Sequence, residues 1–257
     1  MKVLKCFLFM TGVCACTLAH AQNKSDVSQY VDWGLEVANN HLWRGIEVSD
    51  GLVMCTDLAI HDQKEHFKFG LWGGTNTSGN YKEFNFFGEV EYGAFKLALW
   101  DTYNFSPGAD YNNKEFFNYS ARTTGRFLDC NLTWDAAQNL QNFPLTLQWS
   151  TIIFGRDRWQ DNSANRYSTF VYAEYPLYRT DVWSFHAGIG GTFTLASKKG
   201  DSSTFYSDKA GIIHIQMSAR YNLKVTSRYT LPVFATAVFN PVMDRAYFQI
   251  GAQIFKF

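Results

Sequence analysis

The stretch Phe84-Asn85-Phe86-Phe87-Gly88-Glu89-Val90-Glu91-Tyr92, followed by the two-residue link Gly93-Ala94, decides how this chain reads. Its even positions are apolar, while Glu89 and Glu91 stand opposite them. A period of two over this length predicts a β-strand with one apolar and one polar face, and Gly93-Ala94 is short enough to turn it directly into the next strand. The same alternation recurs outward in both directions. In Phe67-Lys68-Phe69-Gly70-Leu71 the odd positions are apolar, as they are in Ile213-His214-Ile215-Gln216-Met217-Ser218-Ala219. In the last segment Ala246, Phe248, Ile250, Ala252 and Ile254 oppose Tyr247, Gln249, Gly251 and Gln253. No stretch of helical length carries a 3.6-residue apolar stripe.

A soluble β-sandwich also alternates. Three features favour a barrel that crosses a membrane. The segments are longer than the roughly 5–6 residues usual for strands. Aromatics gather near segment ends (Trp33, Trp43, Trp72, Tyr92, Tyr103, Trp134, Trp149, Tyr175 and Trp183), where interfacial girdles would need them. The chain also ends on an aromatic, Phe257, behind a segment that reads as an export signal. That segment has Lys2 and Lys5, an apolar run over Val3 to Leu18 and a small-x-small site at Ala19-His20-Ala21, so residues 1–21 read as a signal peptide and 22–257 as the barrel. One misfit is noted: by parity, Phe255 and Phe257 would turn inward.

Composition fits this class. Basic and acidic residues balance at 23 each, which argues against nucleic acid as a partner. Aromatics make up 18% of the chain, against disorder. A mean hydropathy of −0.22 is too polar for a helical multi-span protein, but compatible with a barrel in which every second residue meets lipid. Beyond the signal only Cys55 and Cys130 remain. Parity puts Cys55 inside and Cys130 outside, and no disulfide is expected.

The segments predict an all-β, up-and-down antiparallel barrel of twelve strands, near 31–45, 52–61, 66–76, 82–92, 95–104, 126–136, 145–155, 166–177, 182–194, 210–222, 226–239 and 245–257. Residues 114–124 also alternate. They are assigned to a long outer loop, as an extended hairpin arm, because a thirteenth strand would break the even count.

Several segments resemble the TorF-type porins, a conserved outer-membrane family of poorly defined function. They are His41-Leu42-Trp43-Arg44-Gly45 with Ser49-Asp50-Gly51, Phe69-Gly70-Leu71-Trp72-Gly73, Glu83 to Tyr92 with Gly93, and Trp100-Asp101-Thr102-Tyr103. Further on come Phe143 to Thr151, Tyr167-Ser168-Thr169, Leu231-Pro232-Val233-Phe234 and Phe239-Asn240-Pro241. The resemblance implies a barrel in the bacterial outer membrane and little about its solute.

Charge at the middle of a lipid-facing strand costs about 2–4 kcal/mol, so charged residues are expected to face the lumen. Parity places Glu36, Asp57, Glu83, Glu89, Glu91, Asp129 and Glu174 there, with Arg44, Lys68, Lys96 and Arg220, and with His186, His214, Gln216, Gln249 and Gln253. An excess of acids suggests a lumen that leans toward cations if water fills it. The alternative is a plugged interior in which acids and bases pair. Arg44, at the end of the first segment, is expected either to line the outer mouth or to bind nearby turn carbonyls or Asp50.

An enzyme is not expected, although an outer-membrane acyl hydrolase stays open as an alternative. A barrel acyl hydrolase needs Ser and His together on the lipid-facing wall. Ser184 with His186, and His214 with Ser218, point inward instead, and there is no Gly-x-Ser-x-Gly elbow or His-x-x-x-His pair. No metal or cofactor motif is present. The expected partners are membrane lipid and small solutes. The loop from Arg156 to Asp161 carries charges and Trp159, and reads as an exposed contact patch or as ordinary loop chemistry.

Overall fold

A computed structural model describes residues 30–140 and 143–256, so the expected signal peptide and Phe257 lie outside the described residues. Among these residues twelve strands close into one antiparallel barrel. They are β1 (Val31–Ala38), β4 (Val53–His61), β5 (Phe67–Asn76), β6 (Lys82–Tyr92), β7 (Phe95–Asn104), β8 (Arg126–Asp135), β9 (Thr146–Gly155), β10 (Ser168–Arg179), β11 (Trp183–Thr194), β12 (Gly211–Lys224), β13 (Thr230–Asn240) and β14 (Arg245–Lys256). Each pairs with its sequence neighbour, and β1 closes the ring on β14. Two short strands, β2 (His41–Trp43) and β3 (Ile46–Ser49), pair only with each other.

Closure leaves no free sheet edge, and alternation then sorts the side chains. The outer wall carries well-exposed apolar residues such as Ile60, Phe67, Phe69, Leu97, Ile189, Met217, Phe248 and Ile250. The turns between β4 and β5, β6 and β7, β10 and β11, and β12 and β13 are short and leave one end of the barrel. The longer loops 105–125, 156–167 and 195–210 leave the other. Cys55 faces the lumen side and Cys130 the outside, and both thiols are free.

Four expectations need correction. The first segment is not one strand over 31–45. It ends at Ala38, and residues 41–49 form a hairpin folded into the barrel mouth. Arg44 (φ 48°) and Gly45 (φ 83°) form its two-residue turn, both left-handed as a type I′ hairpin needs. Residues 114–124 form turns rather than a hairpin arm. Their Phe116 lies against the outer wall on Phe84, Phe86 and Tyr103. Trp43 and Trp72 do not belong to a girdle. Trp43 packs inside on Phe127, and Trp72 meets His41 within the lumen. Tyr103 faces outward beneath the 105–125 loop.

The fourth correction resolves the parity misfit. Leu35 pairs with Phe255 while Glu36 pairs with Gln253, so Ile254 is bulged out of the ladder. One extra residue flips the strand's faces. Phe255 therefore sits beside Trp33, with ring centroids 4.9 Å apart, on the outer face.

Candidate functional site: a lumen half filled from its outer end

The long-loop half of the barrel has a packed interior. Phe127, Ile152, Phe170, Tyr206 and Ile213 are buried together, with Trp43, Tyr172, Phe205 and Val242 against them. Three of the buried five come from β8, β9 and β10, whose inward side chains here are apolar. Tyr206 comes from the 195–210 loop, which dips inward.

Arg44, at the hairpin tip, reaches the middle of this cluster. It does not bind Asp50. Its Nη2 donates to Asp129 Oδ2 at 2.6 Å and to Asn131 Oδ1 at 2.5 Å, and its Nη1 donates to Asp129 Oδ1 at 3.1 Å and to the Tyr206 hydroxyl at 2.5 Å. The contact with Asp129 is bidentate, the strong geometry for a guanidinium. The turn is seated closely: a Cβ on Gly45 would collide with the Ile213 carbonyl. Asn240 Nδ2 donates to the Gly45 carbonyl at 2.9 Å, and Gln249 Nε2 donates to the Asn40 carbonyl at 2.8 Å. The hairpin is therefore tied to β8, β13, β14 and the 195–210 loop.

A cavity of about 1080 Å³ remains beside this plug. Its wall runs from loop residues Arg122, Arg158 and Asn162 past Glu83, Asn104, Thr102, Asp129 and Asn131 down to Glu89, Lys96, Thr133 and Gln148 near the short-turn end. A second chamber of about 320 Å³ lies under the plug, lined by Glu36, Glu174, Ser184, His186, Gln216, Ser218 and Arg220 among others.

The lumen residues expected from parity therefore divide. Glu83, Glu89, Lys96 and Asp129 line the larger cavity with Arg44. Glu36, Glu174 and His186 line the smaller. His186 Nδ1 lies 3.0 Å from Glu174 Oε1, and the Tyr172 hydroxyl donates to the other oxygen of Glu174 at 2.9 Å. His214 is buried against Tyr172 and bonds Gln216 at 2.9 Å. Lys68 pairs with Asp32. Asp57 packs under Gly34, where a Cβ would collide with it. Glu91 is exposed at the rim. Among the described residues no serine hydroxyl bonds His186, and no group of three or more His, Cys, Asp or Glu side chains could hold a metal.

Sequence reasoning missed the loop contribution. Trp159 is buried, not an exposed patch, and lines the cavity beside Arg156 and Arg158. Asp157 is fully buried and holds its loop shut: it accepts from the Ser168 amide at 2.6 Å, the Ser168 hydroxyl at 2.8 Å and Arg166 Nε at 2.9 Å. Lys198 bonds Asp161 at 2.5 Å, joining the 195–210 loop to the 156–167 loop. That contact and the Ser163 hydroxyl hold the exposed Asp161 carboxyl well below the usual carboxylate range. The legible signal was the density of Arg and Asp in 156–166. Its inward direction had no sequence marker.

The fold and lumen define a closed twelve-strand antiparallel barrel with a polar, partly filled interior. No family model and no curated protein matches the chain. Among solved structures it is similar to an outer membrane channel from Pseudomonas putida F1 (12% identity over 87% of this chain and 93% of that one, TM-score 0.39). It is also similar to a bacterial polysaccharide outer membrane secretin (10% identity, 89% and 97%, TM-score 0.40) and to CdiB from Acinetobacter baumannii (8% identity, 87% and 59%, TM-score 0.40).

Proposed function

We propose that this protein is a non-enzymatic channel of the bacterial outer membrane that lets small solutes pass through a lumen narrowed by its own hairpin. The observation that carries this reading is the cavity of about 1080 Å³ along the inner wall of β6 to β9, walled by polar and charged side chains from the outer loops to Glu89 and Lys96. Water can occupy such a space, whereas a purely structural barrel of this size can fill its interior with side chains. The apolar outer wall supports placement in lipid. So does the cluster of outward aromatics at the short-turn end, where Trp33, Tyr92, Phe95, Trp134 and Trp183 would mark the periplasmic interface. The resemblance to TorF-type porins points the same way.

The preference for cations expected from the strands weakens once the loops are included. Acids dominate the strand-borne lining, but Arg122, Arg156 and Arg158 crowd the outer mouth. Conductance of the refolded protein in a planar bilayer tests the reading. Discrete steps are expected. A folded, heat-modifiable barrel that never conducts would overturn it, and would favour a plugged barrel that acts through its outer loops.

A further inference from the structure

Several of the cations that face the lumen are held in ion pairs. Arg44 has Asp129, Arg166 has Asp157, and Lys68 has Asp32. Arg156 is not. No carboxylate lies within ion-pair distance of it among the described residues, and its Nε is shut away from solvent with no hydrogen-bond partner. Its guanidinium carbon lies 3.7 Å from the ring centre of Tyr111, 4.9 Å from Phe205 and 5.2 Å from Phe127, and the side chain lines the larger cavity. Burial pushes this guanidinium below its ordinary range, against the opposing pull of Tyr111, Glu83, Asp110 and Asp157.

Two more arginines line the same outer chamber without a carboxylate partner. Arg158 donates only to amide oxygens, including Asn165 Oδ1 at 2.5 Å and the Asn162 carbonyl at 3.0 Å. The backbone carbonyl of Arg122 accepts from Asn162 at 3.0 Å, which holds that residue at the rim. The carboxylates in this chamber are otherwise engaged or solvated. Glu83 accepts from Asn85 at 2.9 Å and from Asn104 at 3.1 Å, and Asp110 is exposed.

Arg156 is half-buried with its Nε unsatisfied, an arrangement that costs free energy, and the in-plane N–H groups of a guanidinium match a carboxylate. The surrounding rings would cover an apolar body attached to that carboxylate. We propose that the outer chamber is a binding site for small organic anions, in which Arg156 takes a carboxylate of the solute and Arg158 and Arg122 supply positive charge at the rim. The site deepens the channel reading, on which it rests for its role, by naming the class of solute met first at the mouth.

The test is calorimetric titration of the refolded full chain with succinate and with its neutral diamide, alongside the bilayer measurement. Succinate binds, the diamide binds at least tenfold more weakly, and Arg156→Gln weakens succinate by tenfold or more while leaving heat-modifiable mobility intact. Equal affinity for the two ligands, no binding of succinate, or full affinity in Arg156→Gln overturns the proposal. If that variant does not fold, Arg158→Gln under the same titration decides, with unchanged affinity counting against the site. Succinate binding without conductance would sink the channel and keep the site. Conductance without succinate binding would do the reverse.

Discussion

Two arginines meet β8 three residues apart, Arg44 at Asp129 and Arg126 as the strand's first residue, and show how this barrel is finished at its long-loop end. Inside, Arg44 arrives from the hairpin and grips Asp129 of β8, with Tyr206 and the Trp43 ring beside it. Outside, Arg126, the first residue of β8, points away from the lumen and pairs with Asp101 of β7 at 2.8 Å. The 105–125 loop folds down over it: Phe116 lies 4.2 Å from its guanidinium carbon and Tyr119 4.9 Å, and the Phe116 carbonyl accepts from Nε at 2.7 Å. The chemistry is alike in both places, a guanidinium held by one carboxylate and several rings. Strand parity alone sends one cluster to plug the lumen and the other to seal the outer wall. The lesson is that similar buried ion pairs can do opposite topological work, and under the proposed channel reading only the inner one bears on passage.

The inner cluster should give the larger effects. Arg44→Ala leaves Asp129 buried without its cation, and breaking such a pair costs about 3–5 kcal/mol. Urea unfolding of the refolded protein should show that loss, and single-channel conductance should rise as the hairpin loosens. Gly45→Ala keeps the ion pair but drives a methyl group into the Ile213 carbonyl at a left-handed φ, for a loss of about 1–3 kcal/mol and a smaller rise in conductance. At the outer cluster, Arg126→Ala should cost about 2 kcal/mol, because Asp101 loses its cation but keeps the Tyr119 hydroxyl as a donor. It should also expose residues 105–125 to protease with no change in conductance. If Arg126→Ala raises conductance as much as Arg44→Ala, the distinction between plug and seal fails.

Two smaller effects sharpen the picture. Tyr206→Phe removes one hydrogen bond to a buried charge and should cost roughly 1.5 kcal/mol, with the hairpin still seated by Asp129. The bond between Lys198 and Asp161 should respond to acid. The folded carboxyl titrates below its unfolded value, so the latch is present at neutral pH and is lost as pH falls through that lowered value. Hydrogen exchange in 195–210 should speed up only at low pH, and Asp161→Asn should remove the dependence.

How much was legible follows from what alternation can carry. In β6 the order of apolar and acidic residues was enough to place Glu89 inside and Val90 outside, because a strand with one face in an apolar medium has no other register. Eleven of the twelve barrel strands were readable on that ground. The first was overextended because His41-Leu42-Trp43 is itself extended and follows β1 after only two residues. The cues to a break, Asn39-Asn40 and Arg44-Gly45, are ordinary turn residues with weak local weight. The parity of Phe255 failed because a bulge leaves no mark in composition.

The sequence by itself determined that the chain alternates and sorts most of its charges to one face of its strands, since period two is a local constraint on each strand. Only the tertiary structure decided which loops fold inward, that Arg44 meets Asp129 across a separation of 85 residues, and that Arg156 faces a cavity with no carboxylate at ion-pair distance. Those contacts join distant segments through the closed geometry of the barrel, and no pattern within any one segment encodes them.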